Sequence, residues 1–174
     1  MNVFKRGLLP PSPMGQAWWR RPSTLPIVLL VMALCIIIAG GTIRINDAGE
    51  SCPDWPQCFG TWGFDVSVEE QGVYWDENPD EIDTRGADHR YTTFEIFSEW
   101  FHRMLVGIIA VPVLLNAILA RKMIDVYGKT VYRSTLVSGV LLITQALVGA
   151  LTVFMDSVDW SVALHLSLAS IFTS

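Results

Sequence analysis

Three stretches of this chain, at about 25–43, 100–119 and 135–154, are nearly unbroken runs of apolar residues, and a fourth begins near Trp160. Roughly 20 such residues in a helix cross a hydrocarbon core of ~30 Å. The apolar residues come in blocks rather than at the spacing of a surface helix, and they make up 51% of the 174 residues. The pattern predicts an all-α membrane protein, a four-transmembrane-helix bundle. Its spans are expected at about 25–43, 100–119, 135–154 and 159–174, behind a tail at 1–24. A large loop at 44–99 separates the first two spans.

Charge sets the expected orientation. Lys5, Arg6, Arg20 and Arg21 precede the first span, and Arg121, Lys122, Lys129 and Arg133 follow the second. Basic connections stay on the cytoplasmic side. The N-terminus is therefore expected inside and the long first loop outside, in a multi-pass protein of the plasma membrane. Between Arg44 and Glu99 lie 14 of the 17 acidic residues and only three of the 12 basic ones. No basic face is dense enough to neutralise phosphates, so nucleic acid is not an expected partner. The first apolar run is too long for the core of a secretory signal and lacks a small-residue cleavage site. The tail's Leu9-Pro10-Pro11-Ser12-Pro13 reads as disordered. The last run, Asp159 to Ser174, would measure only ~24 Å at ~1.5 Å per residue. It reads either as a short tilted helix that thins the bilayer or, the favoured reading, as a chain that stops early.

The chemistry concentrates in Glu99-Trp100-Phe101-His102-Arg103, at the outer mouth of the second span, and in His165, inside the fourth. Ionisable groups at membrane depth are costly and mark functional sites. Imidazole is also the usual axial ligand of haem iron. Under the expected orientation both histidines lie in the outer half of the membrane, where two facing helices of a bundle can hold a haem. The plainer alternative makes His165 a polar contact between helices and His102 an interfacial residue. Glu99 stands three residues before His102 and shares its helix face. It can orient the imidazole, relay protons or steer a substrate, or simply be an acid favoured by a helix N-terminus. Arg103 is a candidate partner for Glu99 or for a haem propionate. Arg44 is a second candidate anion partner, or a snorkelling interfacial arginine.

Cys52 and Cys58 enclose Pro53-Asp54-Trp55-Pro56-Gln57. An oxidising compartment favours a disulfide there, either structural or a labile redox pair. A metal site is disfavoured, because His89 is the loop's only histidine. Cys35 reads as an apolar packing residue. Gln145 is a polar group in a span that must find a partner. Gly40-Gly41 and Gly149-Ala150 permit close helix approach.

Gly40-Gly41-Thr42-Ile43-Arg44, followed by Gly49-Glu50-Ser51-Cys52-Pro53-Asp54-Trp55-Pro56-Gln57-Cys58-Phe59-Gly60, resembles the first outer loop of haem A synthases. Glu99-x-x-His102-Arg103 matches that family's second-span signature. Gln145-x-x-Val148-Gly149-Ala150-x-Thr152-Val153 resembles its third-span pattern, and His165 falls where its fourth-span histidine would. The resemblance runs from about Leu25 to the end. It implies a membrane oxidoreductase that oxidises a ring methyl of haem O to a formyl group, giving haem A for cytochrome oxidase assembly. It implies that His102 and His165 are axial ligands of haem iron, that Glu99 matters to activity, and that Cys52 and Cys58 form a pair. It brings haem B as cofactor, haem O and haem A as substrate and product, and a haem O synthase as a possible partner.

Members of that family have two similar four-helix halves, or one half that assembles with itself. This chain carries one histidine pair, so a homo-oligomer or a missing C-terminal half is expected. Two features depart from the pattern: Arg44-Ile45-Asn46-Asp47-Ala48-Gly49 replaces an Arg-Leu-Thr-x-Ser-Gly run, and an acidic insert extends from Asp65 to Asp88. The insert suggests an added extracellular subdomain or a partner surface. Two rival readings use the same residues. One is a non-catalytic, cytochrome b-like electron carrier that needs the histidines but not Glu99. The other is a thiol-disulfide membrane protein acting through Cys52 and Cys58.

Overall fold

A computed structural model describes residues 24–173. Most of the expected N-terminal tail, with its prolines, lies outside the described residues. Among those described there are five α-helices and no strand. They are α1 (Thr24–Ile45), α2 (Val68–Glu77), α3 (Thr93–Lys122), α4 (Ile124–Phe154) and α5 (Asp159–Thr173). A 3₁₀ turn at Pro79–Glu81 follows α2. Helices α1, α3 and α4 are long and apolar enough to cross a membrane. Helix α5 has 15 residues, or ~22 Å, and falls short of that length.

The four long elements form a ring. Helix α1 packs on α3, α3 on α4, α4 on α5, and α5 closes back on α1. Helices α3 and α5 therefore stand diagonally opposite, as do α1 and α4. Inside, Ala33, Ile109 and Val113 form a buried cluster with Ile36, Leu142 and Phe172 packed against it. Outside, Leu34, Ile38, Val111, Leu114, Val140 and Leu147 are exposed. Apolar area on this scale is untenable in water but ordinary against lipid tails. The chain is a multi-pass membrane protein.

Helix boundaries follow local chemistry more than hydropathy. Helix α3 begins at Thr93, a full two turns before the apolar run, because Thr92 and Glu95 close a capping box. The Glu95 amide donates to Thr92 Oγ1 at 3.3 Å, and the Thr92 amide donates to Glu95 Oε2 at 2.8 Å. Both bonds satisfy donors that a helix start otherwise leaves free. Helix α4 likewise begins at Ile124, ahead of the expected span, and is broken at Gly128, where φ is 84°. Glycine enters that region without steric cost.

The long loop folds as a cap with its own core. Cys52, Cys58, Phe59, Val66, Trp75, Tyr91 and Ile96 are buried together. The acidic insert supplies α2, which Ser67 and Glu70 start with a second capping box. Gln71 is buried and ties α2 to the strand-like return of the chain. Its Nε2 donates to the Tyr91 carbonyl at 3.0 Å, and its Oε1 accepts from the Tyr91 amide at 2.8 Å. Phe59 meets Tyr74 and Trp75 edge-on, with centroids 5.3 and 5.4 Å away. Arg85 pairs with Asp47 at 2.9 Å and lies over the Tyr91 ring at 5.1 Å. The insert thus carries its acids on the outside of a packed subdomain.

Candidate functional site

The cap meets the bundle at Glu99 and Arg103, one helical turn apart on α3. Both side chains are almost fully buried, at 5% and 8% exposure, and their nearest atoms are 2.5 Å apart. The guanidinium also donates to the carbonyls of Cys52 at 2.7 Å and Gln57 at 2.6 Å, and to that of Asp54. The second carboxylate oxygen of Glu99 accepts from Ser51 Oγ at 3.0 Å and from the Cys52 amide at 3.1 Å. The two charges therefore grip the loop that Cys52 and Cys58 close, whose Cα atoms are 4.5 Å apart. Only the planar five-donor fork of arginine can reach three carbonyls and a carboxylate at once.

His102 projects from the next position on α3 toward α1. Its Nδ1 lies 3.1 Å from the carbonyl of Ile36. A carbonyl only accepts, so Nδ1 carries the proton and Nε2 keeps the lone pair. Gly40 makes this seat possible, because a Cβ there would lie 3.2 Å from His102 Cε1. His165 has a parallel seat on α4, where a Cβ at Gly149 would lie 2.8 Å from its Cε1. Its neighbour is Gln145, whose Nε2 donates to the His165 carbonyl at 2.8 Å and lies 3.4 Å from His165 Nε2. His165 Nδ1 and Gln145 Oε1 are buried without hydrogen-bond partners. One imidazole comes from each of the diagonal helices α3 and α5.

Each glycine falls four residues after the group that contacts the imidazole, Ile36 before Gly40 and Gln145 before Gly149. The α1–α3 and α4–α5 pairs thus each seat an imidazole against a glycine, but hold it through different groups. Sequence reasoning singled out these glycines for helix packing. Their role as histidine seats depends on partners more than 60 residues away in one case, which spacing alone does not reveal.

The donor set suits a haem iron. A metal-ligating histidine characteristically donates its other ring N–H to a carbonyl, which fixes the tautomer, and His102 does so with Ile36. One turn further from the cap the interior holds a cavity of about 40 Å³, lined by Ile36, Val106, Ile109, Gln145 and Ala169 among others. A larger one of about 200 Å³ lies at the far end, beside Asn116, Thr135 and Ser138. Sites for ligands of drug size measure about 300 Å³ or more, larger than either cavity. Arg44 stands away from the histidines, at the cap end of α1, paired with Asp159 of α5 at 2.8 Å. Cys35 is exposed on α1.

Fold and site define a helical, multi-pass membrane protein that sets two imidazoles across one interior, beneath a cap closed by a cysteine pair. The chain belongs to the COX15-CtaA family of cytochrome oxidase assembly proteins, which it matches over residues 23–174. It is 30% identical over 139 residues to a haem A synthase of Shewanella oneidensis, covering 80% of this chain and 38% of that protein. It is 28% identical over 142 residues to a haem A synthase of Geobacillus thermodenitrificans, covering 81% and 37%. The haem A synthase of Bacillus pumilus is 26% identical over 148 residues, covering 84% and 40%. The chain thus spans well under half the length of the curated relatives it matches. No solved structure matches it.

Proposed function

We propose that this chain is the haem-binding four-span unit of a haem A synthase, oxidising a ring methyl of haem O to the formyl group of haem A. The observation that carries the reading is the hydrogen bond at His102: Nδ1 lies 3.1 Å from the Ile36 carbonyl, which accepts from it, and the Nε2 lone pair is left available. The arrangement is the one by which a metal-ligating histidine is oriented through its other ring nitrogen. The matched seat of His165 on Gly149 supplies the second candidate ligand. Bound iron would supply the redox chemistry of the methyl oxidation.

The residues of this chain do the rest. His102 and His165 would hold the iron. Gly40 and Gly149 let the imidazoles lie flat against α1 and α4. Glu99 and Arg103 serve by position, fixing the Cys52–Cys58 loop over the histidine end of α3. In this geometry both of their charges are already committed to the loop and to each other. The proton or propionate roles expected for them would act through that loop. Arg44 is the remaining candidate for a propionate, after exchange of its Asp159 partner.

Orientation belongs to the same proposal. The acidic cap lies outside the plasma membrane, the basic α3–α4 junction and the N-terminal tail lie inside, and α5 acts as the fourth span. Cys52 and Cys58 are then in the compartment where a disulfide persists. With one histidine pair here, a second haem, as substrate or as haem B cofactor, would sit in a second copy or in a further half. A haem O synthase is the partner that would hand over the substrate.

The test is to express the chain with a haem O supply and extract its haems. Haem A in the extract supports the synthase. Haem B alone favours an electron carrier, and an extract without haem sinks both readings.

A further inference from the structure

We infer that Gln145 is the positioning residue of His165, a latch that holds its coordinating nitrogen and makes it the exchangeable ligand of the pair. The inference rests on the proposed haem site and adds an asymmetry within it.

The amide orientation is settled by the backbone. Gln145 Nε2 lies 2.8 Å from the carbonyl of His165, and a carbonyl only accepts. The end of the amide nearest His165 is therefore the nitrogen. The same nitrogen lies 3.4 Å from His165 Nε2. Two N–H groups cannot point at each other there, so Nε2 bears a lone pair and the ring proton sits on Nδ1. That Nδ1 has no partner.

Both histidines thus carry the same tautomer, for opposite reasons. The Ile36 carbonyl fixes His102 through its far nitrogen and leaves Nε2 free. Gln145 fixes His165 through the coordinating nitrogen itself and leaves the far nitrogen unpaired. Iron would compete with Gln145 for the one Nε2 lone pair of His165, whereas the hydrogen bond of His102 runs through its other nitrogen. With both imidazoles bound to the metal, a reaction that needs an open position would require one of them to depart. A departing imidazole ordinarily strands a polar nitrogen among apolar side chains, which is costly. Here Gln145 would offer a freed Nε2 a hydrogen-bond donor in place of the metal. No proton or electron changes owner. Gly149 lets the ring lie against α4, because the space over it admits no Cβ.

The test uses the full chain in detergent with ferric haem B as the probe, on the parent and on Gln145→Leu, Gln145→Glu and His165→Ala. Gln145→Leu removes the competitor. It should bind haem about five-fold more tightly than the parent, the factor one ordinary hydrogen bond is worth, with a larger low-spin, bis-imidazole fraction. Gln145→Glu offers a carboxylate that draws a proton onto Nε2, so its low-spin fraction should fall to that of His165→Ala. Equal affinity and spin state in parent and Gln145→Leu, with His165→Ala different from both, overturns the latch and leaves the haem site standing. Failure of every form to bind haem overturns the site as well. Nitrogen NMR of the haem-free chain reads the latch directly. A ring proton on Nδ1 of His165 in the parent, lost to a mixture of tautomers in Gln145→Leu, supports it. A proton on Nε2 in the parent overturns it, whatever the haem titration shows.

Discussion

At the scale of single residues, the site is organised by who holds whom. Arg103 satisfies three loop carbonyls and Glu99, and removing one partner of a buried charge pair typically costs about 3–5 kcal/mol. Arg103→Ala should therefore unfold the cap or leave it detached, whereas Arg103→Lys keeps the charge and loses the fork. We expect Arg103→Lys to lower stability by about 1–3 kcal/mol, the cost of buried acceptors left without donors. It should also speed reduction of the Cys52–Cys58 pair by an exposed thiol. Thermal unfolding and thiol-release kinetics check both. An Arg103→Lys protein with the parent's values for each would show that the grip on the loop is not what stabilises it. The sequence displayed Glu99, His102 and Arg103 as a cluster because they lie within five positions. It did not display Ser51 and Cys52 as partners of Glu99, because hydrogen bonds across 47 and 48 positions leave no periodicity to read. Nor did it reveal that neighbouring residues on α3 divide their work, His102 turning toward α1 and Glu99 and Arg103 toward the cap.

At the scale of elements, apolar length located the helices and capping chemistry decided where they begin. The three long spans were legible because lipid imposes a run of fixed minimum length. The starts of α3 and α4 were not, since Thr92 with Glu95 and the break at Gly128 act locally on polar sequence. The acidic insert concealed a packed subdomain because its core is built from scattered residues, such as Phe59, Trp75 and Tyr91, that lack a common period. Within the cap, burial and the nearby carboxylates of Asp83 and Asp156 push Glu50 above the usual carboxylate range, against the hydrogen bond from Thr84. A carboxyl that holds its proton more tightly when folded contributes stability fully at low pH. That contribution is lost as pH rises through its folded value. Glu50→Gln keeps an acceptor for Thr84 Oγ1, now 2.7 Å from Glu50 Oε2, and never ionises. The variant should match the parent in acid and exceed it in stability near neutral pH. Unfolding followed by tryptophan fluorescence across that range checks it, and a parent that gains on the variant as pH rises would contradict it.

At the scale of the whole molecule, the ring of helices and the cap divide the chain into an apolar body and a polar head. The surface of the body is covered with exposed leucine, isoleucine and valine, which fixes lipid as its surroundings. Charge then predicts its direction. The head carries most of the acids, while Arg121, Lys122, Lys129 and Arg133 cluster where α3 passes into α4. Basic connections near span ends resist translocation, so the head should face outward. Because α5 is the shortest element of the ring, the orientation rests on α1, α3 and α4 and is best tested on loops they define. In a Cys35→Ser background, Glu69→Cys places a thiol on the exposed surface of the cap, and Lys129→Cys places one beside the basic junction. A membrane-impermeant maleimide applied to intact cells should label Glu69→Cys at once and Lys129→Cys only after the membrane is opened. The reverse pattern would put the cysteine pair in a reducing compartment, where a disulfide does not persist. The loop gripped by Glu99 and Arg103 would then have to keep its shape without the covalent bond, and the histidine pair would open toward the cytoplasm. Labelling of both sites from outside would mean that α3 does not cross, and the diagonal placement of His102 and His165 inside a membrane bundle would fail with it.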